Sequence, residues 1–369
     1  RQFDASRRVG IARRLFEQYA ADLEGLQALL DRALQSNPNL RCAAPVREPL
    51  NYAHAPQEPP QPAVLLASDG SQVNPDRHAA VEFGVINIGV FRMAYRENAP
   101  PTEQMESRLL YDEDLFTNQG MISEDMVALL RDVGEREALL RHAQAETPPV
   151  VALTDGPLEL YREPRSQAQF QRYYAQYLDT LRQMAALRIV NAGYVDRPRA
   201  DLLVRLLELA HPQFQPDSNG ARPLQGISDS LLLQNVLLPG QRSAVLGLRS
   251  SSSASYTGEI ALHFFYLNLG RPEAPAMARV EIPAWLAQDD HRLDLLHGVI
   301  ASQAAQMGAR PYPYLLHRAH EIALVSFDER RQLEALIQYE LNRDGLPFGT
   351  PSHKQYHKDH SGDRMRYPS

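Results

Sequence analysis

From residue 63 onward the chain alternates short apolar runs with long amphipathic ones, and this alternation constrains the fold more than any other feature. Ala63 to Ser68 reads as a short buried strand that ends in a turn at Asp69-Gly70-Ser71. Val81 to Val90 and Phe91 to Tyr95 read as two more strands. Ser123 to Ala145 has helical spacing, with Met126, Leu129, Leu130, Val133 and Leu140 on one side. Val150 to Thr154 is a strand running into Asp155-Gly156. Gln167 to Leu187 is a helix, Arg188 to Ala192 a strand, and Arg199 to Ala210 a helix. Short connections make the first three strands antiparallel; the intervening helices make the later strands parallel.

That order describes an α/β protein with a ribonuclease-H-like mixed sheet flanked by helices. Downstream, 243–248, 259–267 and 277–282 read as strands, and 293–307, 314–323 and 328–343 as a C-terminal helical extension. Ser250 to Ser253 reads as a flexible loop. Upstream, Val9, Leu15, Phe16, Tyr19, Leu23, Leu26, Leu30 and Leu34 recur at helical spacing, so residues 4–36 read as one long helix. Such a helix is either an arm for a partner or a brace across its own domain. Pro45, Pro49, Pro56, Pro59, Pro60 and Pro62 make an extended linker. The expected organisation is an N-terminal helical arm over 1–43, a linker over 44–62, a core domain over 63–345 and a polar tail over 346–369.

Composition narrows the class. Apolar residues make up 44% of the chain, enough for a sizeable core, and the single cysteine, Cys42, rules out an internal disulfide framework. No apolar run approaches the ~18 residues of a membrane span, and the first residues lack a signal-peptide layout. A cytoplasmic protein with no membrane partner is expected. The net charge of −7 argues against a non-specific nucleic-acid coat. Only Lys354 and Lys358 are lysines among 38 basic residues. A GC-rich genome would explain that bias; retention for phosphate contact near the C-terminus is the alternative.

The chemistry lies in carboxylates. Asp69 and Asp155 each follow an apolar run and precede a glycine. At the mouth of a sheet, two such anions repel unless a cation lies between them. Oxygen ligands suit Mg²⁺ or Mn²⁺, and two ions roughly 3.5–4 Å apart can drive phosphodiester hydrolysis. The intervening helix offers a third carboxylate, from Glu135 or Glu137. Helical residues two apart point in different directions, so at most one of them is expected as a ligand, and a solvated helix face is the alternative for either. Late in the chain, His317 and His320 sit three apart on one face of a helix; without a third close ligand this is weak evidence for zinc, and by spacing alone either is an ordinary helix residue or a metal ligand or proton carrier.

An ordered series of segments resembles the NurA-domain family. It begins with Ala67-Ser68-Asp69-Gly70-Ser71-Gln72, Pro75-Asp76-Arg77-His78 and Ile86-Asn87-Ile88-Gly89. It continues through Arg131 to Leu139, Leu153-Thr154-Asp155-Gly156-Pro157-Leu158 and Ala192-Gly193-Tyr194-Val195-Asp196-Arg197-Pro198. Pro239-Gly240-Gln241-Arg242-Ser243, His263-Phe264-Phe265-Tyr266 and Arg279-Val280-Glu281-Ile282-Pro283-Ala284-Trp285 follow. Pro311-Tyr312-Pro313-Tyr314, Ala319-His320-Glu321 and Ser352-His353-Lys354 close it.

The resemblance implies a ribonuclease-H-like fold, Mn²⁺-dependent (or Mg²⁺-dependent) DNA nuclease activity with two ions per site, a ring-shaped homodimer, and a HerA-type hexameric ATPase as partner in DNA-end processing. By motif it implies Asp69, Asp155 and Glu135 as metal ligands, with Glu137 the runner-up, His320 beside the metals, and Tyr194 following a strand. Arg131, Arg197, Lys354 and Lys358 are expected to contact DNA. Pro157 departs from the usual Asp-Gly-Ser-Leu and removes one backbone donor after the ligand, which could alter phosphate placement. Two rivals remain: a non-catalytic ring adaptor for the motor, and a metal-dependent phosphatase.

Overall fold

The computed structural model of the protein describes residues 2–57, 62–77, 81–97, 99–117, 120–160, 168–214 and 222–345. The N-terminal segment forms two helices, α1 (Gln2–Gln18) and α2 (Leu23–Ser36), where the apolar spacing predicts one. The break is chemical. The Asp22 carboxylate accepts the amide of Gly25 at 2.9 Å and starts a second helix. Both helices pack on their own domain, against the helix at 202–208, and bury Phe16, Leu26 and Leu30. The proline-rich stretch also joins the sheet, through the short strands β1 (Cys42–Ala44) and β2 (Ala53–His54).

Strand β3 (Ala63–Val73) runs through Asp69-Gly70-Ser71, which the sequence assigns to a turn. Strand β4 (Gly84–Tyr95) is continuous across the two strands predicted at 81–95. The third strand of the meander is instead β5 (Thr102–Leu110), whose side chains are nearly all exposed. A small hairpin, β6 (Phe116–Thr117) with β7 (Gly120–Met121), leads to helix α3 (Glu124–Gln144). Ser123 caps α3 by accepting the Met126 amide at 3.2 Å, while Glu124 and Asp125 start it and Arg141 and His142 end it, matching the helix dipole. Then come β8 (Val150–Asp155), α4 (Ala168–Ala186), β9 (Val190–Asp196), α5 (Leu202–Glu208) and α6 (Asp229–Leu233).

The remainder comprises β10 (Arg242–Ser243), β11 (Leu246–Arg249), β12 (Leu262–Asn268), β13 (Met277–Pro283), α7 (Ala284–Ala287), α8 (Asp290–Ala305), α9 (Tyr314–Ala323) and α10 (Phe327–Arg343). The strand predicted at 243–248 is thus two. The Glu48 carboxylate takes the amide of Val245 at 2.7 Å between them; both pieces pair with β12, while on the other side β10 meets β2 and β11 meets β1. The four-serine loop, expected to be flexible, is instead held by hydrogen bonds: Ser250 and Ser252 both donate to the buried Glu159, and Ser253 closes the turn on Ser250.

One 11-stranded sheet unites these elements, in the order β1-β11-β12-β13-β9-β8-β3-β4-β5 with β10 and β2 alongside. Within it, β3, β4 and β5 pair antiparallel, while β8 lies parallel to both β3 and β9. The sub-order β9-β8-β3-β4-β5, with helices between the parallel strands, is the ribonuclease-H-like arrangement. The sheet continues past β9 through β13, β12, β11 and β1, all antiparallel. Adjacent residues on a strand face opposite sides. A side chain at Gly70 would strike α3, and one at Gly89, the register partner of Asp69, would strike α9. Helices α3 and α9 therefore cover opposite faces, and the apolar core between them and the central strands is continuous with that of the rest of the sheet. No helix among the described residues is long and apolar enough to cross a membrane.

Candidate active site

The ladder between β3 and β8 ends at the pair Ser68–Thr154. Immediately beyond it stand Asp69 and Asp155. β8 stops at Asp155 and departs, whereas β3 continues in its ladder with β4. The divergence opens a gap at the sheet's end, and both carboxylates border it. Asp155 keeps an accessible face although protein fills most of the space around it. That burial and the charge of Asp69 raise its pKa, against the opposing pull of a hydrogen bond from Tyr312. Asp69 and Asp155 therefore feel one another, which is the repulsion a bound cation would remove.

Glu135 enters from α3. The helix is pinned to β3 by the Ser68 hydroxyl, which donates to the Glu135 carbonyl at 3.0 Å. Gly70 makes the approach possible. A Cβ there would lie 2.7 Å from Glu135 Oε1 and 2.5 Å from Arg131 Cγ. Glu135 is 6% exposed and pairs with Arg131 at 3.4 Å. Burial pushes its pKa well up, and Asp132 and Asp69 add to the rise against Arg131 and Arg136. Glu137 points elsewhere, accepting a hydrogen bond from Gln176 of α4.

His320 arrives from the other face. Its Nδ1 lies 2.7 Å from Asp69 Oδ2, across 251 residues of sequence, with 59% of the side chain exposed. The close approach depends on Gly89. A Cβ at that position would fall 2.6 Å from both the Ala319 carbonyl and the Ala323 amide. Ser71 fastens the same helix by donating to the Ala323 carbonyl. His317 turns to Glu321 at 3.5 Å and takes no part in this contact. A Gly89→Val substitution is expected to push α9 off the sheet and lower stability by about 1–3 kcal/mol. Gly10→Ala in α1, with nothing within 4 Å of the new Cβ, should be neutral or stabilise by up to about 1 kcal/mol. Urea denaturation of the two variants checks both; equal midpoints would contradict the seating of α9.

Tyr194 lies inside β9, not after it, and its ring is buried against Tyr312 at 5.4 Å and 90°. Tyr312 stands between Tyr194 and Asp155 and bonds the carboxylate, a role that sequence reading did not assign. Glu281 was missed as well. Fully buried on β13, it accepts the amides of Leu158 at 2.9 Å and Glu159 at 3.2 Å and pairs with Arg279 at 2.7 Å. Gly193 leaves room for the turn to cross β9, since a Cβ there would meet the Gly156 carbonyl at 2.6 Å. With Gly156 donating to the Tyr194 carbonyl, every amide that follows Asp155 through Glu159 is engaged, and Pro157 has none to offer. Arg131 overhangs Gly70, and Arg197 is 80% exposed in a left-handed conformation (φ 44°) beyond β9. Lys354 and Lys358 fall outside the described residues.

Among the described residues, no three His, Cys, Asp or Glu side chains close up into a ready-made cation cage. What the gap does offer is carboxylate oxygen with one imidazole, the donor set that suits Mg²⁺ or Mn²⁺. The mutual repulsion of Asp69 with Asp155 and Glu135 fits the same group.

Fold and site together define a ribonuclease-H-like α/β protein with acidic side chains gathered where two parallel strands part. A family model, the NurA domain, matches residues 63–325, and the chain belongs to that family. The structure is similar to that of the NurA nuclease from Sulfolobus solfataricus, with a TM-score of 0.51 and 11% identity over 90% of this chain and 98% of that one. A more distant likeness joins it to the catalytic domain of human Endonuclease V, with a TM-score of 0.34 and 12% identity over 85% of this chain and 98% of that one. Comparison with curated proteins finds no match.

Proposed function

We propose that the protein is a divalent-cation-dependent DNA nuclease. The observation that carries this reading is the convergence of Asp69, Asp155, Glu135 and His320, from two strands and from helices on both faces, on the point where β8 leaves β3. Membership of the NurA family and likeness to a NurA nuclease support it. Asp69, Asp155 and Glu135 would hold the cations, Mn²⁺ or Mg²⁺. Bound as a pair, these would supply charge neutralisation and an activated water for phosphodiester hydrolysis. Asp69 orients His320 through Nδ1, which leaves Nε2 to carry a proton at the attacking or leaving oxygen. Tyr312 and the Glu281-held turn keep Asp155 from rotating away. Arg131 and Arg197 would steady the strand.

The chain is proposed to work as a homodimer with a HerA-type ATPase in processing DNA ends, as its family membership suggests. A net charge of −7 leaves little long-range grip on DNA, so a motor that feeds the substrate fits the composition. The test compares a fluorogenic DNA with a small phosphate ester, each with Mn²⁺ and with a chelator. Mn²⁺-dependent cleavage of DNA alone is expected. Cleavage of the ester alone would indicate a phosphatase, and inertness toward both, with the ATPase present, an adaptor.

A further inference from the structure

Behind the acidic gap, a cleft of about 290 Å³ runs between α3 and the segment Gly156–Leu160. Its wall includes Arg131, Asp132, Glu135, Arg136, Asp155 and Tyr177. Arg136 is 3% exposed. Its Nε donates to the Tyr177 hydroxyl at 3.3 Å, and its Nη1 has no acceptor among the described residues. A buried guanidinium with an unanswered N–H is costly, and its natural complement is an anionic oxygen. The acids of the cleft do not supply one. Glu159 is committed to Arg41, Ser250 and Ser252, which together overcome its burial and hold its pKa below the ordinary range. Asp132 pairs with Arg131 at 2.9 Å, and Glu135 leans on Arg131.

The turn opposite Arg136 cannot supply the grip. Its amides are spent on Glu281 and the Tyr194 carbonyl, while the Leu158 carbonyl takes the hydroxyls of Tyr177 and Tyr256. That leaves the wall facing Arg136, whose Nη1 has no acceptor among the described residues, beside Arg131, whose Nε is answered only by the 3.4 Å approach of Glu135. We infer that the cleft is a subsite for a backbone phosphate of the nucleic-acid strand, adjoining the acidic gap and gripped by Arg136. The inference rests on the nuclease reading. Tyr177 then plays a second part. By taking Nε it fixes the plane of the guanidinium and leaves the Nη edge for the phosphate.

The experiment measures binding of a fluorescein-labelled single-stranded oligothymidylate to the full chain in EDTA, by anisotropy across a salt series. Arg136→Met is expected to weaken binding about tenfold and to flatten the slope of log K against log salt by about 0.7, the loss of one phosphate contact. Arg136→Lys should retain most of the slope, because its charge remains. Should Arg136→Met not fold by circular dichroism, Arg136→Gln replaces it and is read the same way. Slopes equal to wild type in the folded neutral variant overturn the subsite, as does a wild type that does not bind the probe. The two readings separate in a parallel assay with Mn²⁺. A wild type that cleaves DNA while the neutral variant keeps its salt slope disproves the subsite alone; a wild type that never cleaves DNA disproves the nuclease reading.

Discussion

Asp155→Asn is expected to yield a folded protein, at least as stable as wild type without metal, whose Mn²⁺-dependent DNA cleavage falls by about a hundredfold or more. Both halves follow from the environment of the carboxylate. Burial and Asp69 raise its folded pKa, so the charged form is an electrostatic cost to the fold at neutral pH. The sign is that of any raised acid. Stability is fully present below the unfolded pKa, near 3.9, and is lost as pH climbs through the folded value. Asn removes the charge, keeps the shape and can still accept from Tyr312. Under the proposed function, catalysis would lose a cation ligand, hence several kcal/mol of charge stabilisation, at about 1.36 kcal/mol per tenfold in rate. Asp69→Asn should lose activity to a similar degree and also free His320. Thermal denaturation in EDTA and single-turnover cleavage in Mn²⁺ make the measurement. Full activity in either variant would remove the carboxylates from the mechanism; a folding collapse would mean that they serve the fold.

What the sequence revealed and what it concealed divide along a physical line. Asp155 was legible because Val150, Val151 and Leu153 make an apolar run that reads as a strand in any context. Asp69 was legible as a candidate, but its setting was not: Gly70 looks like a turn, and only pairing with β4 carries the strand on to Val73. Strand β5 left no trace, since Glu103, Gln104, Ser107 and Arg108 are exposed and no alternation marks an edge exposed on both sides. The break at Asp22 was hidden because the apolar spacing runs on through it, while the cap is a local hydrogen bond. The serines at 250–253 have a linker's composition, and the Glu159 that orders them lies about 90 residues upstream. Glu281 and Tyr312 act at long range on Asp155, and no local pattern announces such partners. The Pro311-Tyr312-Pro313 segment was the available signal for Tyr312, since two prolines fix the entry to α9 and aim the residue between them.

Between the two glutamates of α3, Glu135→Gln is expected to cut cleavage by about a hundredfold or more, and Glu137→Gln to leave it essentially intact. The helix settles the contrast. At 100° per residue, positions two apart diverge by roughly 200°, so a helix seated with Glu135 over Gly70 must aim Glu137 away, toward Gln176. The environments diverge accordingly. Glu135 is enclosed, its pKa pushed well up by burial and by neighbouring acids beyond what Arg131 and Arg136 offset, so its carboxylate gains further when a divalent cation reaches it. Manganese should therefore raise the thermal stability of wild type more than that of Glu135→Gln, which has already shed the buried charge. Glu137 is half-exposed, and its replacement should change stability by no more than about 0.5 kcal/mol. Cleavage rates and melting temperatures with and without Mn²⁺ give both comparisons. Loss of activity in Glu137→Gln with Glu135→Gln unimpaired would rotate α3 relative to β3 and separate Gly70 from the role assigned to it. Equal loss in both variants would mean that α3 contributes through its packing and not through one carboxylate.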